Sequence, residues 1–253
     1  MDGKQFALVL THDVETQKGL IKCNRLIELE ESLGFRSSFN FVIKDYDVPM
    51  HLRSQLLDRG FEVGIHGLNH KENPFRCKTI FEKHAKQINQ HMKQWNCVGF
   101  RCPRMFHNLD YIHDLNIEYD ASTFDTDPFE PQPDGIRSIF PFWIQNKHSH
   151  RGYVELPYTL PQDFLLFVLM KEKNIDIWKK KLDWIVGHGG MTLLIAHPDY
   201  MNFDNNNLMY DEYPAKYYEE LLRYIKDKYK DQYWHVLPRD MAKWWKEKFK
   251  NKK

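Results

Sequence analysis

Residues 6–15 of the chain read FALVLTHDVE, an apolar run that changes abruptly into polar and ionisable residues. The first five residues are apolar without alternation, which is typical of a strand covered on both faces of a parallel sheet. Catalytic groups of barrel-shaped α/β enzymes lie at the carboxyl ends of such strands. The stretch therefore predicts a first strand that carries Asp13 and Glu15 into a site.

The alternation of strands and helices continues along the chain. Buried-strand patterns recur at 38–42, 61–65, 98–101, 117–121, 154–156, 191–196 and 234–237. Helical spacing of apolar residues recurs at 20–33, 48–59, 79–95, 163–186, 213–229 and 241–250. Repeated strand–helix units predict a mostly parallel sheet, open or closed into a barrel. One such barrel accounts for the whole length, so we expect a single domain over residues 1–253.

Residues 125–152 interrupt this alternation. They show no helical period and hold four of the twelve prolines: Pro128, Pro131, Pro133 and Pro141. Connections of this length inside a compact domain are usually functional or disordered. The stretch therefore predicts a long loop or insertion within the single domain.

Charge, cysteine content and hydropathy exclude some classes of protein. Lys and Arg number 36 and Asp and Glu 35, a net charge of +1 that argues against nucleic-acid binding through a basic surface. None of the four cysteines forms a C-x-x-C pair, so we expect reduced thiols in a reducing compartment. No apolar run approaches the ~18 residues of a membrane span, and the first residues lack a signal-peptide pattern. We therefore expect a cytoplasmic protein without a transmembrane segment.

Two histidines follow the predicted strand at 61–65 and are spaced for a shared metal ion. His66 and His70 are four residues apart, so on one helical turn both imidazoles face the same way. A carboxylate from the end of the first strand would complete the ligand set of a catalytic zinc site with one open position. An H-x-x-x-H pair alone is weak evidence among 13 histidines, and its position after a strand strengthens it.

Five polar strand ends together resemble a known family. In chain order they read THDVE, GFEVGIHGLNH, FRCP, YDASTFD and LLIAHP, within residues 11–198. The series resembles the polysaccharide deacetylases with a NodB-homology domain, carbohydrate esterase family 4. Their motifs are an Asp-rich first strand end, H-x-x-[ST]-H, R-x-P, a fourth motif with Asp, and an apolar strand that ends in His. The segments FPF at 140–142 and ELPY at 155–158 resemble members that act in surface-polysaccharide biosynthesis.

The resemblance implies a distorted (β/α)7 barrel that removes an acetyl group from an N-acetylated or O-acetylated sugar. It also implies a role for each residue that matches a family motif. These residues are the general base Asp13, the arginine Arg101 that orients it, the metal ligands His66 and His70, the general acid His197 and, as the carboxylate that keeps this acid charged, Asp120 or Asp125.

The chain departs from the family pattern in the first motif. Family members have two adjacent Asp residues, whereas Val14 takes the second place here and Glu15 becomes the expected third metal ligand. Asp13 is the alternative ligand, which would leave the role of general base open. Asp13 and Glu15 point the same way along a strand, so both can face the site. In the second motif Asn69 replaces the usual hydroxyl residue.

The chemistry of amide hydrolysis agrees with this set of residues. The reaction needs an activated water, an oxyanion stabiliser and a proton for the leaving amine. We expect Asp13, near Arg101 and the metal, to stay ionised, and His197, near a carboxylate, to stay protonated. Zn²⁺ is the expected ion, and the same ligand types also suit Co²⁺, Mn²⁺, Ni²⁺ and Fe²⁺.

The sequence thus predicts a metal-dependent sugar deacetylase whose partner is an acetylated sugar or glycan. Two other functions stay open: hydrolysis of another carbon–nitrogen amide bond on the same barrel, and carbohydrate binding by a relative that has lost its metal at Val14.

Residues 241–250 are basic and amphipathic. They predict either the final barrel helix with a charged outer face or a helix that makes peripheral contact with an anionic membrane.

Overall fold

The computed structural model describes residues 3–127, 130, 133–147, 149, 151–204 and 208–250. Its strands are Phe6–Val14 (β1), Ser38–Phe41 (β2), Glu62–Ile65 (β3), Gly99–Phe100 (β4), Tyr119–Asp120 (β5), Phe142–Gln145 (β6), Gly152–Glu155 (β7), Met191–Ala196 (β8), Met201–Asn202 (β9), Tyr213–Pro214 (β10) and Tyr233–His235 (β11). Its α-helices are Gln17–Leu33 (α1), Met50–Asp58 (α2), Lys78–Trp95 (α3), Asp176–Gly187 (α4), Lys216–Lys228 (α5) and Pro238–Trp245 (α6). Every strand predicted from the sequence is present, with altered ends.

β1 lies at the centre of a curled, mostly parallel sheet. On one edge it pairs with β2, and the sheet continues through β3, β4, β5, β7 and β6. On the other edge it pairs with β8. β11 pairs with the first residues of β1, on the edge opposite to β8. The backbone N–H of Thr159 donates to the carbonyl of Leu193 at 3.0 Å, so the chain after β7 approaches β8 and narrows the opening of the curl. This architecture confirms the predicted distorted barrel.

The side chains of β1 divide between two apolar cores. Leu10 and Val14 belong to the larger core, which contains the buried faces of α1 to α5. Ala7 and Val9 belong to the smaller core inside the curl. Because successive side chains of a strand point to opposite faces, Asp13 lies on the inner face with Ala7 and Val9. Val14, the residue at the departure from the family pattern, is fully buried under the helices.

His12 lies on the helix-facing side of β1 and belongs to a buried polar cluster. Its Nε2 lies 2.9 Å from Glu30 Oε1, and its Nδ1 lies 3.1 Å from the carbonyl oxygen of Ala196. Glu30 also accepts hydrogen bonds from the hydroxyls of Ser37 and Tyr218. Burial by itself would raise the pKa of Glu30, but the His12 imidazole lowers it below its usual value. The cluster ties α1 and α5 to β1.

The segment predicted as a long loop, 125–152, contains a strand. β6 lies within it and pairs antiparallel with β7 from Phe142↔Glu155 to Gln145↔Gly152. This strand reads FWIQ, a short run without polar alternation that directly follows Pro141. Pro128 and Pro131 of the predicted loop lie outside the described residues.

The single long helix predicted over 163–186 is interrupted. Phe164–Leu169 forms a π-helical turn, and α4 begins only at Asp176. Between them Lys171 has a left-handed backbone with φ 57°. A residue in this region cannot continue a right-handed helix, so the segment divides into two pieces.

The basic segment near the end of the chain packs against the inner core. α6 begins at Pro238, a residue suited to the first turn of a helix, and buries Met241 and Ala242. This packing favours the interpretation as the final barrel helix. No helix among the described residues is long and apolar enough to cross a membrane.

Candidate active site

The carboxyl ends of several neighbouring strands open into one cavity of about 460 Å³. Asp13 and Glu15 reach it from the end of β1, His66 and His70 from the loop after β3, and His197 from the end of β8. The structure therefore brings these sequence-predicted residues together at one end of the barrel.

Glu15, His66 and His70 form a compact group at this cavity. One nitrogen or oxygen ligand atom from each lies within 4.8 Å of the others, and Glu15 Oε1 lies 2.8 Å from His70 Nε2. Ligand atoms around a tetrahedral zinc ion lie roughly 3.4 Å apart, so small side-chain movements would let the three share an ion. Burial by itself would raise the pKa of Glu15, but its hydrogen bond with His70 and the nearby imidazoles lower it to about 2.

His66 has the protonation and orientation of a metal ligand. Its Nδ1 lies 3.2 Å from the carbonyl oxygen of Arg101, so this nitrogen carries the proton. Its Nε2 is buried and has no hydrogen-bond partner among the described residues. Burial lowers the pKa of His66 to about 4, which leaves the ring neutral. A buried lone pair without a partner is costly, and a metal ion at Nε2 would satisfy it.

The turn between the two histidines depends on Gly67. Its φ is +68°, and a Cβ atom there would lie 2.7 Å from Pro103 Cδ. Asn69, which replaces the hydroxyl residue of the family motif, fixes the backbone on both sides of His70, because its Oδ1 accepts the backbone N–H groups of Lys71 and Glu72. The backbone N–H of His70 donates to Asp45 Oδ2 at 2.9 Å. These contacts fix the direction from which His70 enters the cavity.

Asp13 is ionised within a buried hydrogen-bond network. Its Oδ1 accepts from Asn40 Nδ2 at 2.8 Å and from Arg101 Nη1 at 3.1 Å. Arg101 is fixed in turn by donating to Thr11 Oγ1 and to the carbonyl of Ala121, both at 2.8 Å. Burial by itself would raise the pKa of Asp13, but the Arg101 guanidinium and two nearby imidazoles hold it well below its usual range. The family resemblance implied this contact between Arg101 and Asp13.

His197 is paired with Asp163, a residue that no motif of the sequence indicated. The imidazole Nδ1 lies 2.6 Å from Asp163 Oδ1, and the backbone N–H of His197 donates to Asp163 Oδ2 at 2.8 Å. The hydroxyl of Tyr213 donates to the same Oδ2 at 2.8 Å. Burial by itself would lower the pKa of His197, but the Asp163 carboxylate raises it to about 10. The ring is therefore protonated, with Nε2 on the cavity side, 3.9 Å from Glu15 Oε1.

Asp120 and Asp125 pair elsewhere, so the prediction that one of them holds His197 is wrong. Asp120 Oδ1 accepts from the Ser122 hydroxyl at 2.7 Å, and Asp125 Oδ2 lies 2.7 Å from Lys181 Nζ. The reason is topological: Asp120 ends β5, which pairs with β4 and β7, whereas His197 follows β8, which pairs with β1. The chain after β7 approaches β8 and brings Asp163 to the histidine.

The remaining wall of the cavity is mostly apolar and includes a few polar side chains. The apolar lining residues are Met105, Phe106, Phe164, Leu165 and Leu169. The polar lining residues of this wall are Arg104, Glu130, Gln162 and Tyr200. Glu130 Oε2 accepts from the Tyr158 hydroxyl at 2.8 Å and from Gln162 Nε2 at 3.0 Å. Apolar walls with a few placed polar groups are typical of pockets that bind small molecules.

Known structures share this architecture, although no protein-family model and no curated protein sequence matches the chain. A protein from Pseudomonas aeruginosa PAO1 classed as a polysaccharide deacetylase superposes with a TM-score of 0.74 at 12% identity, over 98% of this chain and 93% of that one. The chain has a polysaccharide-deacetylase fold.

Two further structures with this fold are named for different activities. One is the allantoinase Puue, with a TM-score of 0.73 at 12% identity over 98% of this chain and 92% of that one. The other, from Mycobacterium smegmatis, is classed as a polysaccharide deacetylase and superposes with a TM-score of 0.68 at 16% identity, over 96% and 90% of the two chains. The polysaccharide-deacetylase fold therefore does not decide the substrate, which has to be argued from the site.

Away from the cavity, this polysaccharide-deacetylase fold buries a pair of carboxyl groups. Asp120 and Glu155 are opposite each other in β5 and β7 and are fully buried. Asp120 Oδ2 and Glu155 Oε2 are buried and have no hydrogen-bond donor among the described residues. Two buried carboxyl groups side by side cannot both be ionised, so we expect the pair to share one proton. Burial, and next the Asp120 charge, raise the pKa of Glu155 well above its usual range. The folded state thus keeps a proton that the unfolded chain releases. The contribution of this pair to the free energy of unfolding is therefore largest at acid pH and is lost as the pH rises.

Glu155→Gln is therefore expected to stabilise the protein at pH 8 by about 1–2 kcal/mol, or roughly 2–8 °C in Tm. Glutamine keeps Oε1 as the acceptor for the backbone N–H and hydroxyl of Thr123, and its amide N–H faces Asp120 without titrating. Thermal unfolding at pH 5 and pH 8 measures the effect, which should shrink at pH 5. Glu118→Gln, an exposed site directly before β5, is the control. A gain of the same size at both pH values would contradict the shared proton.

Proposed function

We propose that this protein is a metal-dependent hydrolase that removes an acetyl group from an N-acetylated sugar, with O-acetylated sugars as the related substrate class. One observation carries the proposal. The group of Glu15, His66 and His70 is flanked by an ionised carboxylate, Asp13, and by a protonated imidazole, His197. Two titratable groups held in opposite protonation states at one pH are the expected base and acid of a hydrolase.

Glu15, His66 and His70 would hold the divalent ion. Two imidazoles and one carboxylate, with an open fourth position, fit the donor set of a catalytic zinc site, and Co²⁺, Mn²⁺, Ni²⁺ and Fe²⁺ suit the same ligands. When bound, such an ion lowers the pKa of a water molecule and polarises a carbonyl group. The buried Nε2 of His66, without a partner among the described residues, supports the fit.

Asp13 is the proposed general base. Its Oδ1 is occupied by Asn40 and Arg101, and its Oδ2 lies 3.8 Å from His66 Nδ1. Oδ2 is thus the oxygen that would accept a proton from the attacking water. Arg101 holds the carboxylate in place and keeps it ionised between turnovers.

His197 is the proposed general acid. Its Nδ1–H donates to Asp163, which fixes the ring and leaves the Nε2–H toward the cavity. Nε2 would give its proton to the leaving amine nitrogen, a poor leaving group when unprotonated. General acid and base groups of this kind each contribute about 10²–10⁴-fold to the rate.

A second candidate is the hydrolysis of a carbon–nitrogen bond in a small cyclic or linear amide. The similarity in fold to an allantoinase favours it, because the same base and acid would serve either amide.

A non-catalytic carbohydrate-binding role, suggested by the departure at Val14, is less well supported. Glu15 supplies a carboxylate to the metal group in place of the missing Asp. The FPF and ELPY segments favour sugar substrates of cell-surface polysaccharide synthesis.

The test begins with a titration of metal-stripped protein with Zn²⁺, which is expected to show one tight site. The loaded protein is then assayed for acetate release from N-acetylated and O-acetylated sugars, and for turnover of allantoin and other non-sugar amides. Acetate release from sugars supports the deacetylase, and turnover of the small amides alone would favour the second candidate. Zn²⁺ binding without hydrolysis of either class would contradict both.

A further inference from the structure

The two residues that follow His197-Pro198 reach back across the site to the turn that carries Glu15. We propose that Asp199 and Tyr200 are positioning residues for Glu15, so that this glutamate can serve as the third metal ligand, and that Gly19 provides the space for the contact. This inference rests on the proposed metal-dependent function. It explains how the chain can use a Glu one place beyond the family's usual carboxylate.

Asp199 fixes the backbone around Glu15. Its Oδ2 accepts the backbone N–H of Glu15 at 2.9 Å. Its Oδ1 accepts the backbone N–H of Thr16 at 2.9 Å, the Thr16 hydroxyl at 2.5 Å and the backbone N–H of Gly19 at 3.2 Å. The side chain is nearly fully buried, 3% exposed. Four donors on one buried carboxylate hold the end of β1 and the first turn of α1 in a single arrangement.

Tyr200 fixes the side chain of Glu15. Its hydroxyl donates to Glu15 Oε2 at 2.5 Å, and its ring packs 4.7 Å from the Phe164 ring and 5.4 Å from the His197 ring, measured between centroids. Oε2 is thereby occupied, and Oε1 faces His70 Nε2 at 2.8 Å. The two oxygens of the carboxylate are thus distinguished, with one held by the protein and the other directed at the metal group.

The presence of glycine at position 19 is explained by the contact of Asp199 with this turn. It lies in the first turn of α1, and glycine is among the least favourable residues in a helix. Its backbone does not have positive φ, so no turn requires it. A Cβ atom at this position would lie 2.1 Å from Asp199 Oδ2 and 2.5 Å from Asp199 Cγ. Only a residue without a side chain lets the carboxylate reach the backbone N–H groups of this turn.

Glu15 needs such support because of where it stands. It follows Val14, the last residue of β1, so the sheet no longer holds its backbone. Glutamate also has a longer and more flexible side chain than the aspartate of the family pattern, and ordering it costs more conformational entropy. Partners that orient a metal ligand typically change metal affinity about 10–100-fold.

Asp199→Asn is the sharpest test, because asparagine can keep its Oδ1 as the acceptor for Thr16 and Gly19. Its amide NH₂ would then meet the N–H of Glu15, a donor against a donor. We expect Zn²⁺ affinity, measured by competition with a chromophoric chelator, to fall about 10–100-fold. Excess Zn²⁺ should restore most of kcat. Asp211→Asn is the matched control, because Asp211 pairs with Lys18 of the same helix at 3.2 Å.

Gly19→Ala and Tyr200→Phe test the same inference independently. Alanine displaces the Asp199 carboxylate, and phenylalanine removes only the hydroxyl on Glu15 Oε2, so the latter decides if Asp199→Asn does not fold. Both should weaken Zn²⁺ binding while Asp211→Asn does not. Variants with lowered Tm but wild-type Zn²⁺ affinity would overturn the inference and leave the proposed function standing. Absence of Zn²⁺ binding in the wild type would instead overturn the proposed metal site and the inference with it.

Discussion

His66→Ala is expected to abolish tight Zn²⁺ binding and to reduce deacetylation to background. His66 Nε2 is the buried nitrogen without a partner among the described residues, and burial keeps its ring neutral by lowering its pKa to about 4. Without it, only Glu15 and His70 would remain of the three ligand groups. The ion would then no longer lower the pKa of a bound water molecule to about 7. Calorimetric titration and an acetate-release assay measure the two effects.

Two further variants make this result specific. His70→Ala should give the same loss at a less buried position, where the side chain is 25% exposed. His188→Ala removes an exposed imidazole at the end of α4 and should change neither binding nor turnover. Wild-type Zn²⁺ affinity in both His66→Ala and His70→Ala would refute the assignment of the ligands.

His197→Ala is expected to lower kcat by about 10²–10⁴-fold while Zn²⁺ affinity stays close to the wild-type value. The imidazole lies near the metal group, with Nε2 3.9 Å from Glu15 Oε1, but Asp163 keeps it protonated and so unsuited as a ligand. Its loss should therefore remove the proton donor and leave the ligands in place. Steady-state kinetics of the Zn²⁺-loaded variant, beside its titration with Zn²⁺, separates the two roles. A large loss of metal affinity would make His197 a ligand instead.

Asp163→Asn tests the protonation state of the same imidazole. Asp163 raises the pKa of His197 to about 10, so removing its charge lowers that pKa, and the acid loses its proton at a lower pH. The alkaline limb of the kcat/KM profile should then move to lower pH. Asp125→Asn, at the partner expected from the sequence, is the control and should leave the profile unchanged. A shift in Asp125→Asn but not in Asp163→Asn would reverse the assignment.

The groups that could be predicted from the sequence are those fixed by local pattern. Asp13 and Glu15 are two residues apart on one strand, so the period of a strand is enough to place them on one face. His66 and His70 are neighbours in one turn, and Arg101 and His197 end strands of recognisable apolar sequence. Spacing along a short stretch of chain placed the two pairs, whereas the roles of Arg101 and His197 were implied by the family resemblance.

Asn40 and Asp163 were not predicted, because their positions in the site depend on which strands are neighbours in the sheet. Asn40 contacts Asp13 because the two are register partners in β1 and β2. A polar residue between Phe39 and Phe41 was a usable signal, since it marks the face opposite to the aromatic one. Asp163 could not be placed without knowing that the chain after β7 approaches β8. Strand order and register are set by packing of the whole sheet, and so the strand end that supplies the partner of His197 was assigned wrongly.

The central position of β1 has a consequence for how the protein is made. Its partner β8 begins roughly 185 residues later in the chain, and at a synthesis rate of about 5–20 residues per second that interval lasts roughly 10–40 s. During this time one edge of an entirely buried strand has no native neighbour, and unpaired apolar edges recruit other chains. We therefore expect the newly made amino-terminal half to depend on chaperones until β8, the strand directly before His197, has been synthesised.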